Sequence, residues 1–143
     1  KLWENCSPVE IEMLERGEFT EQEKVNISWQ SETMWIMLWS INKIKKLEMP
    51  KEQCEIKKIV ECLPEYLEPF EEYIETSELR SKSEILDKSD LIYRLHWATR
   101  QARINKEETY ANLNQEIVQE WHYAINWITN YEGLDWDDVT TDT

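Results

Sequence analysis

A chain of 143 residues is long enough for one compact domain, and a formal net charge of −14 sets it against polyanions, so general binding to nucleic acid or to an anionic membrane is not expected. Two glycines and four prolines leave little turn material for a sandwich or barrel, and no window approaches the roughly 20 apolar residues of a membrane-spanning helix. The composition predicts one all-α domain in a cytoplasmic protein: a single irregular bundle of about five to six helices with an irregular acidic C-terminal tail.

Ser7-Pro8-Val9-Glu10 joins a capping box to a proline at the first helical position, and Gly17 can supply a left-handed stop, so a short helix is expected over 8–16. A second box, Thr20-Glu21-Gln22-Glu23, opens a long helix. Its centre, Met34-Trp35-Ile36-Met37-Leu38-Trp39, is apolar around the full circumference and predicts a central helix covered on all sides. Pro50 restarts the chain. Cys54, Ile56, Ile59, Val60 and Leu63 fit the apolar side of a helix ending before Pro64, and Pro64 and Pro69 divide the next segment into two short helices or one kinked helix.

Ser83 reads as the N-cap of a helix over 84–104, with Ile85, Leu86, Ile92, Tyr93, His96 and Trp97 on one face. Asn112 with Gln115 opens the last helix, over 113–131, where Ile117, Trp121, Ala124, Ile125 and Ile128 form the stripe and Gly133 the stop. Trp35, Trp39, Trp97 and Trp127 are expected to be core.

Several chemistries have no motif. Cys6, Cys54 and Cys62 form an odd set without metal-ligand spacing and read as reduced thiols. With Gly17 and Gly133 as the only glycines, Walker and Rossmann phosphate turns are excluded. The two histidines fall in different predicted helices, and Asp135-Trp136-Asp137-Asp138 lacks the glycine and glutamate of a calcium loop. No metal and no cofactor is expected.

His96 falls in an apolar stripe with Arg100 and Arg103 beside it, and cationic groups turned toward a core require partners. Those partners are expected to be acids: Glu32, Glu120 and the tail aspartates. The candidate polar pocket therefore comprises Glu32, Arg94, His96, Arg100, Glu120, His122, Asn126 and Asp137, either as a structural network or as a ligand site. The tail is expected to lie across Arg94, Arg100 or Arg103, anchored by Trp136. Elsewhere, Glu61 to Glu78 carries seven acids and neither Lys nor Arg. Glu65, Glu68, Glu71, Glu72 and Glu75, interleaved with Tyr66, Phe70 and Tyr73, form a candidate acidic interface for a basic protein.

Four segments carry a family resemblance: Trp29-Gln30-Ser31-Glu32, Tyr93-Arg94-Leu95-His96-Trp97-Ala98, Glu120-Trp121-His122-Tyr123-Ala124-Ile125-Asn126-Trp127, and the ending Trp136-Asp137-Asp138-Val139-Thr140-Thr141-Asp142-Thr143. Together they resemble an uncharacterised bacterial family, domain of unknown function 4272, from Leu2 to Thr143. The resemblance implies a bacterial origin and further sequence upstream. Where members often carry arginine, this chain has Gln30 and Trp121, which removes positive charge beside the candidate pocket. The expected function is a non-enzymatic acidic module that holds a basic protein, as an immunity protein or antitoxin holds a cationic toxin. The alternative is an enzyme or small-ligand sensor using Glu32, His96, Arg100, Glu120 and His122 between helices.

Overall fold

Three capping boxes set the frame of the molecule. At Ser7 the hydroxyl accepts from the Glu10 N–H while the Glu10 carboxylate accepts from the Ser7 N–H at 2.8 Å, Pro8 follows, and Gly17 ends the helix at φ 71°. Thr20 with Glu23, and Ser81 with Glu84, repeat the device. The computed structural model describes residues 3–65 and 69–143. Among them the α-helices are α1 (Pro8–Arg16), α2 (Glu21–Ser40), α3 (Ile56–Cys62), α4 (Glu71–Glu75), α5 (Lys82–Asn105) and α6 (Gln115–Ile128), joined by loops and short 3-10 turns, and no strand forms. The fold is all-α, and among the described residues no helix is long and apolar enough to cross a membrane.

The centre is α6, which packs against α2 on one side and α5 on the other, while α3 leans on α2. Its Ile117, Trp121, Ala124 and Ile125 are buried against Ile36, Leu38 and Trp39 of α2 and Ile92 of α5, with Ile44 and Ile59 closing the cluster. The α6 stripe expected from the sequence is thus the core, although α6 begins two residues later than expected. Asn114 rather than Asn112 caps it, accepting from the Ile117 N–H at 3.2 Å, and the helix stops at Ile128.

Other expectations are corrected. The apolar centre of α2 is not covered on every side: α6 and α3 shield Ile36, Leu38 and Trp39, but Met34 on the outer face stays 39% exposed. The short α3 rests on α2 along one line only, burying Ile59 and leaving Ile56 and Val60 exposed. In α5 the cap is Ser81, because only Ser81 has a glutamate at the third following position, and the buried line is Ile92, His96, Thr99 and Ala102. Leu86, Tyr93 and Trp97 lie on its outer flank, about half exposed. Of the expected core tryptophans, Trp39 is buried and Trp35 packs against the cluster, whereas Trp97 and Trp127 remain open to solvent; Trp121 is the second buried indole. Tyr66 and Glu68 of the candidate acidic interface lie outside the described residues.

The end of α2 has no basic residue in its last turn, and an arginine far along the chain supplies what is missing. Arg80 donates through Nε to the Trp39 carbonyl at 2.7 Å and through Nη2 to the Ile44 and Lys45 carbonyls, both at 2.9 Å, while its guanidinium lies 4.7 Å over the Trp39 ring. Its own N–H donates to the Ser40 carbonyl at 2.8 Å. Lysine has no planar fork to serve three carbonyls, so Arg80→Lys is expected to lower stability by about 1–3 kcal/mol in urea denaturation. An unchanged midpoint would show that solvent satisfies those carbonyls equally well.

Candidate functional site

Glu32 is the most buried charged side chain of the protein, 1% exposed among the described residues. Its Oε1 accepts from the Cys54 N–H at 2.6 Å and its Oε2 from the Trp121 indole N–H at 2.9 Å. Beside it, the Thr33 hydroxyl donates to Glu120 Oε2 at 2.9 Å. Burial raises the Glu120 carboxyl above its ordinary range, the Thr33 hydrogen bond opposes that rise, and the Glu32 charge adds to it. Burial, reinforced by Glu32, also pushes the Cys54 thiol up to about 12, so Cys54 stays protonated at neutral pH and is a poor nucleophile. Among the described residues no cation bonds Glu32 or Glu120, although Lys46 and Lys58 line the hollow beside Glu32. The donors are neutral: an amide, an indole and a hydroxyl.

His96 on α5 and His122 on α6 meet at the helix interface, both buried, with their Nδ1 atoms 2.8 Å apart and the rings edge to face at 5.1 Å. One Nδ1 must donate and the other accept, so the hydrogen bond survives at most one added proton on the pair. Tyr93 meets His122 edge to face at 5.8 Å. Burial lowers His96, with Arg100 and Arg103 adding to the effect; burial and then His96 take His122 down to about 4, against the opposing charge of Asp142. The partner of His96 is therefore a neutral imidazole rather than an acid.

The tail crosses this region as a backbone strap. Arg100 donates through Nη1 to the Thr143 carbonyl and, at 3.1 Å, to the Thr143 hydroxyl; the buried Asn126 donates to the Thr140 carbonyl at 2.8 Å. Tyr123 donates its hydroxyl to the Trp136 carbonyl, and Trp136 packs edge-on against Tyr123 and Trp127 as the expected anchor. Contrary to expectation, no tail aspartate bonds an arginine among the described residues. Asp137 turns to α1, accepting from the Ser7 hydroxyl at 2.6 Å and the Val9 N–H at 3.1 Å. Arg94 stays at the surface, paired with Asp90 at 2.9 Å. The eight candidate pocket residues are thus divided: Glu32 and Glu120 between α2 and α6, His96, His122, Asn126 and Arg100 under the tail, Asp137 at the start of α1, and Arg94 outside.

A small hollow of about 140 Å³ opens at Glu32, Cys54 and Trp121, and two larger ones flank this framework. A cleft of about 290 Å³ runs beside the imidazole pair, lined by Leu86, Ser89, Asp90, Tyr93, His122, Asn126, Tyr131 and Asp142. A groove of about 660 Å³ lies between the start of α1, the outer face of α2 and the tail turn. Its walls hold Met34, Met37, Trp127 and Trp136 with the carboxylates Glu4, Glu10, Asp135, Asp137 and Asp138, and neither Lys nor Arg. Glu10 and Asp137 are committed to capping α1, while Glu4, Asp135 and Asp138 form no ion pair among the described residues. Sequence periodicity missed this groove because its walls come from four separated segments. The exposed side of the α2 apolar run was the one available signal. In the acidic segment Glu65, Glu71, Glu72 and Glu75 are exposed, and Tyr73 packs under Lys43, whose Nζ lies 4.4 Å from the ring centre. Among the described residues no group of three or more His, Cys, Asp or Glu is arranged to hold a metal ion.

Fold and site together define an all-helical domain built around a buried carboxylate, a neutral histidine pair and an acid-lined groove. The chain belongs to the family described as Domain of unknown function (DUF4272), whose family model matches residues 1–139. No curated protein and no solved structure matches it.

Glu32→Gln would turn an amide NH₂ toward one of two N–H donors, and a loss of about 2–4 kcal/mol is expected in chemical denaturation. A loss below about 1 kcal/mol would mean that this carboxylate is not structurally required. The histidine pair adds a pH dependence. Both imidazoles are depressed, so below the ordinary 6.5 the unfolded chain binds protons that the native state refuses. Their stabilisation is full above that value and drains as pH falls toward about 4. Glu120, whose carboxyl is raised, acts in the opposite sense. The wild-type Tm is therefore expected to fall more steeply from neutral to acid pH than that of His122→Gln, and parallel curves would contradict the assignment.

Proposed function

We propose that this protein is a non-enzymatic binding module for a basic protein and that the groove receives the partner's cationic side chains. The observation carrying this reading is the groove's composition among the described residues: two tryptophans and two methionines beside three carboxylates that form no ion pair there, and neither Lys nor Arg in its walls. An aromatic and thioether wall takes up the stem of a lysine or the plane of an arginine, while carboxylates pair with its charged end. The exposed acids Glu65, Glu71, Glu72 and Glu75 add a steering field, which acts on the rate of encounter more than on the lifetime of the complex. A net charge of −14 favours such a partner over any polyanion. An immunity or antitoxin-like role against a cationic toxin is the form of this function that the charge suggests.

A second reading, a sensor or enzyme for a small polar ligand, draws on one observation: the neutral His122 lines the cleft together with Asp90 and Asp142.

The test is titration with short arginine-rich and lysine-rich peptides, followed by tryptophan fluorescence and calorimetry at low and high salt. Binding is expected to weaken about tenfold or more in Asp135→Asn/Asp138→Asn and in Trp127→Ala. Reversal of Glu71, Glu72 and Glu75 to Lys is expected to reduce mainly the association rate and its salt dependence. Groove variants that bind as the wild type does would overturn the groove assignment and leave the cleft beside His122 as the site to probe.

A further inference from the structure

The outer flank of α5 carries an exposed apolar line, Leu86, Tyr93, Trp97 and Ile104, each between 46% and 58% exposed. Their spacings of seven, four and seven residues keep them on one narrow stripe of the helix, the pattern of a coiled-coil seam. The two remaining seam positions are Asp90 and Arg100.

The stripe is symmetric about the level of Leu95: Tyr93 and Trp97 stand two residues to either side, Asp90 and Arg100 five, Leu86 and Ile104 nine. We infer that α5 docks antiparallel on α5 of a second copy of this chain, around a two-fold axis at the level of Leu95. In that register Tyr93 meets Trp97 of the second copy, Leu86 meets Ile104, and Asp90 meets Arg100, each contact occurring twice. An isologous antiparallel interface needs such self-complementarity, with unlike residues at mirrored positions and opposite charges facing.

Three further observations favour a second copy as the occupant. Within a chain of net charge −14, α5 carries five cations against three acids, so pairing along it keeps the acidic surfaces of the two copies apart. The helix has 24 residues and is about 36 Å long, ample for a two-helix contact. The charged pair is also available. Asp90 is tied only to its own Arg94, an exposed contact of small worth, and Arg100 holds Thr143 through Nη1, leaving its other nitrogens to donate. Leu86, Asp90 and Tyr93 line the cleft beside His122 as well, so the second copy would roof that cleft.

The intact chain is to be measured by sedimentation velocity over a range of concentrations. A species of twice the 17.4 kDa chain mass is expected, with the dissociation constant raised at least about tenfold by Trp97→Glu. Trp97 is exposed, so circular dichroism should show the variant folded. The register is read by cysteine cross-linking, with the three native cysteines retained in every sample. The double variant Leu86→Cys/Ile104→Cys should form a disulfide-linked dimer under mild oxidation, whereas Leu86→Cys alone should not, because like positions would lie about 27 Å apart. A single mass of 17.4 kDa at every concentration, or a dimer insensitive to Trp97→Glu, or cross-linking by Leu86→Cys alone, would overturn the inference.

Discussion

A single buried carboxylate fixes the relative placement of three parts of this molecule. Glu32 leaves α2, and its two oxygens are held by the indole of α6 and by the backbone just before α3. Removing a carboxylate from water is costly unless its lone pairs are met, and here both oxygens are met by donors that carry no charge. Sliding α6 along α2, or lifting the Cys54 segment away, would strand that charge, so the contact selects one register among the many that an apolar seam would accept. The neighbouring Thr33–Glu120 bond sits on the same helix pair and penalises the same slips.

The chain therefore separates two uses of its acids. Glu32 and Glu120 are turned inward and satisfied by amide, indole and hydroxyl donors; Glu10, Glu23, Glu84 and Asp137 close helix starts. Others face water, as on α4, or line the groove beside Trp127 and Trp136. Trp121 fits the same division. The Trp121 indole N–H reaches Glu32 as a donor without bringing a charge that would need burial.

Local chemistry was legible in the sequence, and relations between helices were not. The boxes at Ser7 and Thr20, the stop at Gly17 and the inward stripe of α6 are each decided within a few residues, and the structure contains all of them. Ser83 has the hydroxyl of a cap but not the box: the glutamate at the third following position belongs to Ser81, which caps α5. The orientation of α5 was harder to read. Its apolar residues circle the helix, so either Ile92 and His96 or Leu86 and Trp97 could face inward, and the fit against α6 chose the first. His96 with His122, and the groove walls, join residues remote in sequence. The rule that buried cations need acids did not decide the arginines beside His96: Arg100 is met by the Thr143 carbonyl and hydroxyl, and Arg103 is exposed.

Arg80 also joins two helices that are not neighbours in sequence. It holds the end of α2 while contacting Glu84, the glutamate that closes the first turn of α5. The last turn of one helix and the first turn of another thus share a single side chain, and neither can melt from that end without loosening the other. Helix ends are ordinarily where local opening begins. Here the two ends form one joint, so opening from either of them has to break contacts of both helices.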